Sequence, residues 1–488
     1  MKEFGLLLPE IYLAATVMGL VLSESAHHGE RVRLILPTAL LGLGGAFFQA
    51  LLSYQQGASL LFGGSLSLDG FALFFKLFFL VMAALGITAV CLSEEIEGEI
   101  RSEFAALTLV GTVALMIAAE STNLFVSALA LQAAGAVGYL LAGFGRKSPA
   151  ATEAAIKWMG FSMVSGALLF LGAIALFLQS GTANIQEIHQ QLVATPPSPQ
   201  LSLLVFAVIF IGLSAPMMIF PAQFFGPDFL QGSPSVGGAY LLAGLRAGAF
   251  AVAARIWVTL FAQPATHPGK WLPLGGWDWT RWVAVSAGLS MMMPALLALR
   301  QSNAKRLLGC VALVQGGFLL LGLLVLEQLG LAAILFSLLV ELISLVGVFY
   351  VLSLGVVRRG SSELEKLRGV LRGRPWETVA LLCFAVSWLG LPPFAGSVGR
   401  FALLGAAVRR EWYVLALVGL LAMTLTIVAA GRLLLVLILS EGESCDKVET
   451  SQVSKIFLLA LLIPLFGAAF FAEPLLRWAS LSLRFIFW

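Results

Sequence analysis

Run after run of this chain is apolar for 18 residues or longer, enough to cross about 30 Å of hydrocarbon at about 1.5 Å per helical residue. Fourteen such runs can be drawn, at approximately 4–22, 33–54, 70–92, 103–120, 122–144, 152–178, 201–224, 235–260, 281–299, 306–326, 329–354, 376–404, 412–439 and 454–472. The loops between them are short, and the longest, 179–200 and 355–375, are too small to be separate soluble domains. Only 11% of residues are charged, against about 25% in an ordinary soluble domain. The expected fold is an all-α membrane protein of about fourteen transmembrane helices. The opening MKEFGLLLPEIYLAATVMGLVL reads as a first span, because no small-residue cleavage site closes it. The closing EPLLRWASLSLRFIFW reads as an interfacial tail, with tryptophan and arginine at headgroup depth.

Two runs are interrupted. The seventh meets Pro216 and Pro221, and the twelfth meets Pro392 and Pro393 within GLPPFAG. Proline removes a helix hydrogen bond and frees carbonyls. In a bilayer, freed carbonyls persist only where protein or a water-lined cavity satisfies them. Arg246 follows Pro216 by thirty residues, in the next span; Arg432 follows Arg400, which stands at the second break, by thirty-two. Gln132 precedes the first break by 84 residues and Gln315 precedes the second by 77. Spans four to eight and nine to thirteen therefore read as two five-helix units. An odd number of spans per unit makes the second inverted, an arrangement found in transporters with their route near the midplane. The expected organisation is 1–100 as three N-terminal helices, 101–262 and 263–440 as the two units, and 441–488 as a last helix and tail.

Loop charges set the orientation. Sixteen Lys and Arg fall in odd-numbered loops and four in even-numbered ones, so both termini are expected outside the cytoplasm. The four cysteines (Cys91, Cys310, Cys383, Cys445) are dispersed with no CxxC, and the four histidines fall in loops. Iron–sulfur and structural zinc sites bring clustered ligands, so neither is expected; His27 and His28 read as a solvated turn.

Ionisable groups inside apolar runs are functional candidates by default. Glu153 and Lys157 lie four apart on one helix face and can pair, as a proton site or as snorkelling side chains near the cytoplasmic end. Arg246 and Arg400 cannot carry protons by titrating; they can fix a positive field, or serve a structural ion pair or the carbonyls freed by the breaks. Glu341 can titrate or pair with a buried cation. Gln132 and Gln315 can only hydrogen-bond. Lys76, about two turns into its span, fits a proton relay or snorkelling. Arg432 could reach either half of the membrane.

Several stretches taken together resemble a known family: LLPEIYLA, LDGFALFFK, RSEFAALTLVGTVALMIAAESTNLF, ATEAAIKW, PDFLQGSPSV, ALRQSNAKRLLG, LEKLRGVLRGRPW and LGLPPFAGSVGRF. Across nearly its whole length the chain is similar to the antiporter-like membrane subunits of respiratory complex I (NADH–quinone oxidoreductase), and most closely to the N type. The resemblance implies a membrane-arm subunit of a proton-translocating enzyme in a bacterial inner membrane, with both termini periplasmic. It implies M- and L-type antiporter-like subunits and small K-, J- and A-type subunits as partners, together with the bilayer and no nucleic acid. It also implies no catalytic centre, metal or cofactor in this chain, with NADH, FMN, iron–sulfur clusters and quinone in others. Members place a glutamate on the fifth span and lysines on the sixth, seventh, eighth and twelfth. Here Gln132 stands for the glutamate, Lys157 with Glu153 matches the sixth span, and Pro216 occupies the seventh-span lysine's place. Arg246 and Arg400 stand for the remaining lysines. Titratability is lost at most of these positions while positive charge is kept at two, so the proton channel is altered, rerouted through Glu341, or silent. A subunit of a multi-component Na⁺/H⁺ antiporter, a structural spacer, and a stand-alone carrier are the alternatives. Against the carrier, the breaks show no polar cluster shaped for an organic solute.

Overall fold

The computed structural model describes residues 5–26, 31–55, 57, 59–93, 95–145, 148–264, 271–273, 278–440 and 451–483. His27, His28, His267, Cys445, the loop cations Arg146, Lys147, Lys270 and Lys447, and tail residues 484–488 lie outside the described residues. In chain order the helices are α1 (Leu8–Ala26), α2 (Arg31–Gln55), α3 (Gly70–Ser93), α4 (Arg101–Glu120), α5 (Leu124–Ala142) and α6 (Pro149–Ser180). Then come α7 (Ile185–Ala194), α8 (Pro199–Met217), α9 (Gly226–Gly232), α10 (Ser235–Thr259), α11 (Thr280–Ala298) and α12 (Ala304–Leu324). The chain ends with α13 (Gln328–Arg359), α14 (Pro375–Trp388), α15 (Ala395–Arg409), α16 (Tyr413–Ile438), α17 (Gln452–Phe470) and α18 (Ala472–Ser482).

Twelve of the described helices are long and apolar enough to cross a membrane. The count of fourteen is not reproduced on that measure. The first expected run keeps only a shorter apolar stretch, Leu8–Leu22, and the twelfth is divided into α14 and α15, each about 21–23 Å long by helical rise. Two small antiparallel hairpins, Ser59–Leu61 with Leu66–Leu68 and Ala262–Pro264 with Trp271–Pro273, also interrupt an otherwise helical chain. The expected loop 179–200 contains α7, held at its start by Asn184, whose side chain accepts from Gln186 and Glu187 N–H. The tail forms a separate helix, α18, packed on α13 and α3, with the Trp478 ring 5.2 Å from that of Phe74.

α10 is the hub. It is apolar around its whole circumference, as a helix enclosed by others must be, and it packs against α3, α4, α5, α8 and α13. Small residues make the close approach possible. A Cβ at Gly244 would overlap Met82 of α3, and one at Gly248 would overlap Leu115 of α4. α10 and α12 are buried throughout, whereas α2 and α17 expose most of their length and form the outer faces of this chain.

Both interruptions are present, although not as the prolines alone suggest. Pro216 lies inside α8, which ends one residue later; Met218 then takes a left-handed conformation (φ 56°). The chain resumes as a short 3₁₀ turn, Gln223–Phe225, leading into α9. Two serines of α11 satisfy the exposed backbone: Phe220 N–H donates to Ser290 Oγ at 2.8 Å, and Ser286 Oγ donates to Phe220 O at 2.6 Å. At the second break Gly390 adopts φ 77° between α14 and α15. There a Cβ would run into the Arg400 side chain, so glycine answers both the backbone angle and the crowding. The Phe220–Pro221 and Pro392–Pro393 bonds are cis.

Candidate functional site: a buried line of charge between two interrupted helices

Near the middle of the bundle, Arg246 of α10 forms an ion pair with Glu341 of α13 through Nη1 and Oε1. Both side chains are enclosed, at 0% and 3% exposure for the residues. Arg400 of α15, equally buried, lies within electrostatic reach of the same carboxylate. Its Nη2 donates to Trp388 O at 2.8 Å, the carbonyl freed where α14 ends, and its guanidinium carbon stands 4.8 Å from the Phe318 ring centroid. Stacking on an aromatic face suits a guanidinium, which is planar and weakly hydrated.

The two arginines therefore divide the roles left open for them. Arg400 serves its break directly. Arg246 does not: serines serve the first break, and Arg246 is committed to Glu341. The surroundings are polar enough to matter. Ser337 and Ser344 lie four residues before and three after Glu341, on its face of α13, and Gln315 of α12 is buried as well. Among the described residues, Arg246 Nε and Nη2, Glu341 Oε2, Arg400 Nε and Nη1, Gln315 Oε1 and both serine hydroxyls have no protein hydrogen-bond partner. Buried polar atoms in such numbers are the usual seats of internal water. With two guanidinium groups and one carboxylate, the line carries one more positive than negative group, and only Glu341 in it can change charge by titrating.

The other expected residues fall elsewhere. Lys157 is near one end of α6, half-exposed, bonded to Glu153 at 2.6 Å and to Asp228 of α9 at 2.5 Å. Asp228 also takes Arg306 at 3.0 Å, so α6, α9 and α12 are tied together at that end. Gln132 is half-buried against Gly166 of α6, where a Cβ would collide with its amide. Arg432 is exposed and bonds Leu299 O and Gln301 O. It caps the end of α11 and takes no part in the buried line. Lys76 is not a snorkelling side chain: at 1% exposure it is paired with both Glu10 and Glu120.

Several charged groups escaped the sequence reading. Arg255 of α10 makes a bidentate pair with Asp69, at 2.9 and 3.0 Å, and also donates from Nε to Ala119 O at 2.7 Å. Lys305 bonds Glu95 at 2.9 Å, while Glu95 accepts from Ser235 N–H at 2.7 Å at the start of α10. For Arg255 the signal was available, a lone cation inside the run AVAARIWV. The acids gave none, because each stands at the edge of an apolar run and reads as a loop residue.

Residues 121–426 match the family model described as NADH:quinone oxidoreductase/Mrp antiporter, TM. The chain is 30% identical to NADH-quinone oxidoreductase subunit N of Chlorobium chlorochromatii, covering 98% of this chain and 94% of that one. It is also 30% identical to the subunit N of an Anaeromyxobacter species, over 93% and 91%. Among solved structures it is similar to a chain of Thermus thermophilus respiratory complex I with bound aureothin, with TM-score 0.79, 23% identity and coverage of 97% and 99%. It is similar in fold to a chain of the Mrp complex from a Dietzia species, with TM-score 0.84, 18% identity and coverage of 99% and 98%. A multi-pass membrane chain, interrupted at two points around buried charge and matched along almost its whole length to these relatives, belongs to the NADH:quinone oxidoreductase/Mrp antiporter transmembrane family.

Proposed function

We propose that this chain is a membrane-arm, antiporter-like subunit of a proton-translocating NADH–quinone oxidoreductase. The observation that carries the mechanism is the line Arg246–Glu341–Arg400, enclosed between two interrupted helices. A carboxylate held between permanent cations gains or loses a proton according to how closely each cation approaches it. A small shift of α10 or α15 against α13 changes those separations, and with them the proton affinity of Glu341. Fixed guanidinium groups supply the field, and the surrounding polar atoms offer stations for water. Lys157, with Glu153 and Asp228, is the titratable group at the opposite end of the path, and Gln132 supports α6 without titrating.

On this reading the redox chemistry belongs to other subunits, which hold NADH, FMN, iron–sulfur clusters and quinone. M- and L-type antiporter-like subunits and small K-, J- and A-type subunits are the neighbours. Segments 101–262 and 263–440 act as two inverted five-helix units, each contributing one interrupted helix, flanked by 1–100 and 441–488. The membrane is the bacterial inner membrane, with both termini on the periplasmic side, the orientation that the basic loops favour. A second reading, a subunit of a multi-component Na⁺/H⁺ antiporter, has the fold likeness to the Mrp complex in its favour. The relatives at 30% identity favour the first.

The test begins with purification of the tagged chain from native membranes. Quinone-reductase activity with NADH should accompany it, and its absence would favour the antiporter. In the active complex, Lys157→Met should lower the number of protons moved per electron while leaving assembly intact, since Lys157 is half-exposed. An unchanged ratio would make the chain a spacer on that path.

A further inference from the structure

Glu10, Lys76 and Glu120 form a second buried charge cluster, outside the segment matched by the family model. We infer that this cluster is a proton-holding site in which one proton is shared by two carboxylates around one ammonium, and that the proton rests on Glu120. The inference goes beyond the function proposed above and does not depend on it.

Charge counting comes first. Lys76 Nζ lies 2.9 Å from Glu10 Oε1 and also contacts Glu120 Oε1. All three residues are buried, and neither carboxylate has any other hydrogen-bond donor among the described residues. Fully ionised, the cluster would leave one negative charge unmatched in a medium that strongly disfavours it. Two carboxylates that share a site do not both ionise readily; binding one proton makes the cluster neutral.

Among the described residues no other cation pairs with it: Arg101, at the opposite end of α4 from Glu120, donates to Ile96 O and Cys91 O. The helices packed on α3 are α2, α4, α10, α13 and α18. α10 supplies Arg255, but Asp69 takes that guanidinium at both ends; its other cation, Arg246, is paired with Glu341. α13 supplies Glu341 and, at its far end, Arg358 and Arg359. α18 supplies Glu473 and Arg477, which pair with each other in the exposed layer. α2 has no Lys or Arg beyond its first turn, and α5, which packs on α4, has neither.

Backbone dipoles then choose between the two acids. Glu10 lies in the first turn of α1, where the helix end is positive and favours a carboxylate. Glu120 is the last residue of α4, where the helix end is negative and favours a neutral group. Glu10 is therefore the ionised partner of Lys76. Glu120 offers its carbonyl oxygen to the ammonium and keeps the proton on its other oxygen. The starts of α1 and α3 and the ends of α4 and α10 converge at one end of the bundle, so the site is near that face and away from the Arg246–Glu341–Arg400 line.

The test uses the full-length chain in lipid nanodiscs, with glutamate isotopically labelled at the side-chain carboxyl carbon. Infrared spectra near neutral pH should contain a label-sensitive carboxylic C=O band from this site. Glu120→Gln keeps the carbonyl acceptor and should abolish that band while retaining the thermal midpoint. Glu10→Gln tests the sharing separately: with Glu10 neutral, Glu120 must ionise to match Lys76, and the same band should vanish. A band unchanged in Glu120→Gln would overturn the site. A band that persists in Glu10→Gln would overturn the shared proton.

Discussion

Replacing Glu341 with Ala should lower stability more than any other single truncation in the central line. The change removes the carboxylate that Arg246 pairs with and that Arg400 acts on, leaving two buried guanidinium groups without it. Breaking one buried pair by deleting a partner typically costs about 3–5 kcal/mol. Here the like-charge repulsion between the arginines adds to that. Glu341→Gln keeps the shape and the hydrogen-bonding capacity, so it should be the milder change, while still removing the one titratable member. Thermal midpoints of the purified complexes, compared with assembly level in the membrane, check this. A Glu341→Ala protein as stable as the parent would mean that the arginines are neutralised from elsewhere.

The second large effect is expected at Asp69, which does three things at once. Its Oδ1 accepts the Ala72 N–H at 2.7 Å, closing the first turn of α3. Both oxygens take the Arg255 guanidinium, and Ser67 Oγ donates to Oδ2 at 3.0 Å. Asp69→Ala should therefore cost about 3–5 kcal/mol for the stranded arginine, with about 1 kcal/mol more for the lost cap. Asp69→Asn retains one side-chain oxygen, which can still cap Ala72 N–H, but turns an NH2 donor toward the guanidinium, so it should recover the capping share only. If the two variants are equally stable, the cap contributes little; if both are as stable as the parent, the ion pair with Arg255 contributes little as well. Arg255→Lys should not substitute for the original, since an ammonium cannot reproduce the bidentate fork or reach Ala119 O in the same geometry.

The spans were legible because hydrocarbon leaves the backbone few choices. The run 235–260 became Ser235–Thr259 and 281–299 became Thr280–Ala298, within the fraying expected of helix ends. The interruptions were legible from proline and glycine, and Arg246, Glu341 and Arg400 from the rarity of charge in lipid. What the sequence withheld was partnership. Arg246 stands 95 residues from Glu341, and Arg255 stands 186 from Asp69; no local pattern links such pairs. Glu10, Asp69 and Glu120 carry no such signal, because an acid beside an apolar run looks the same whether it faces water or a neighbouring helix. Pro216 misled in a different way. It lies within the final turn of α8, and the left-handed turn at Met218 marks the actual end. Arg432 looked like the counterpart of Arg246 by spacing alone, yet its helix face points it at the α11 terminus.

The central claim is that protons are driven past Glu341 by the shifting balance of two fixed cations. It is tested most directly by the number of protons moved per electron in the assembled complex carrying Glu341→Gln, reconstituted in vesicles and measured during NADH oxidation. A lower ratio is expected, with electron transfer to quinone continuing. An unchanged ratio at full electron-transfer rate would contradict it.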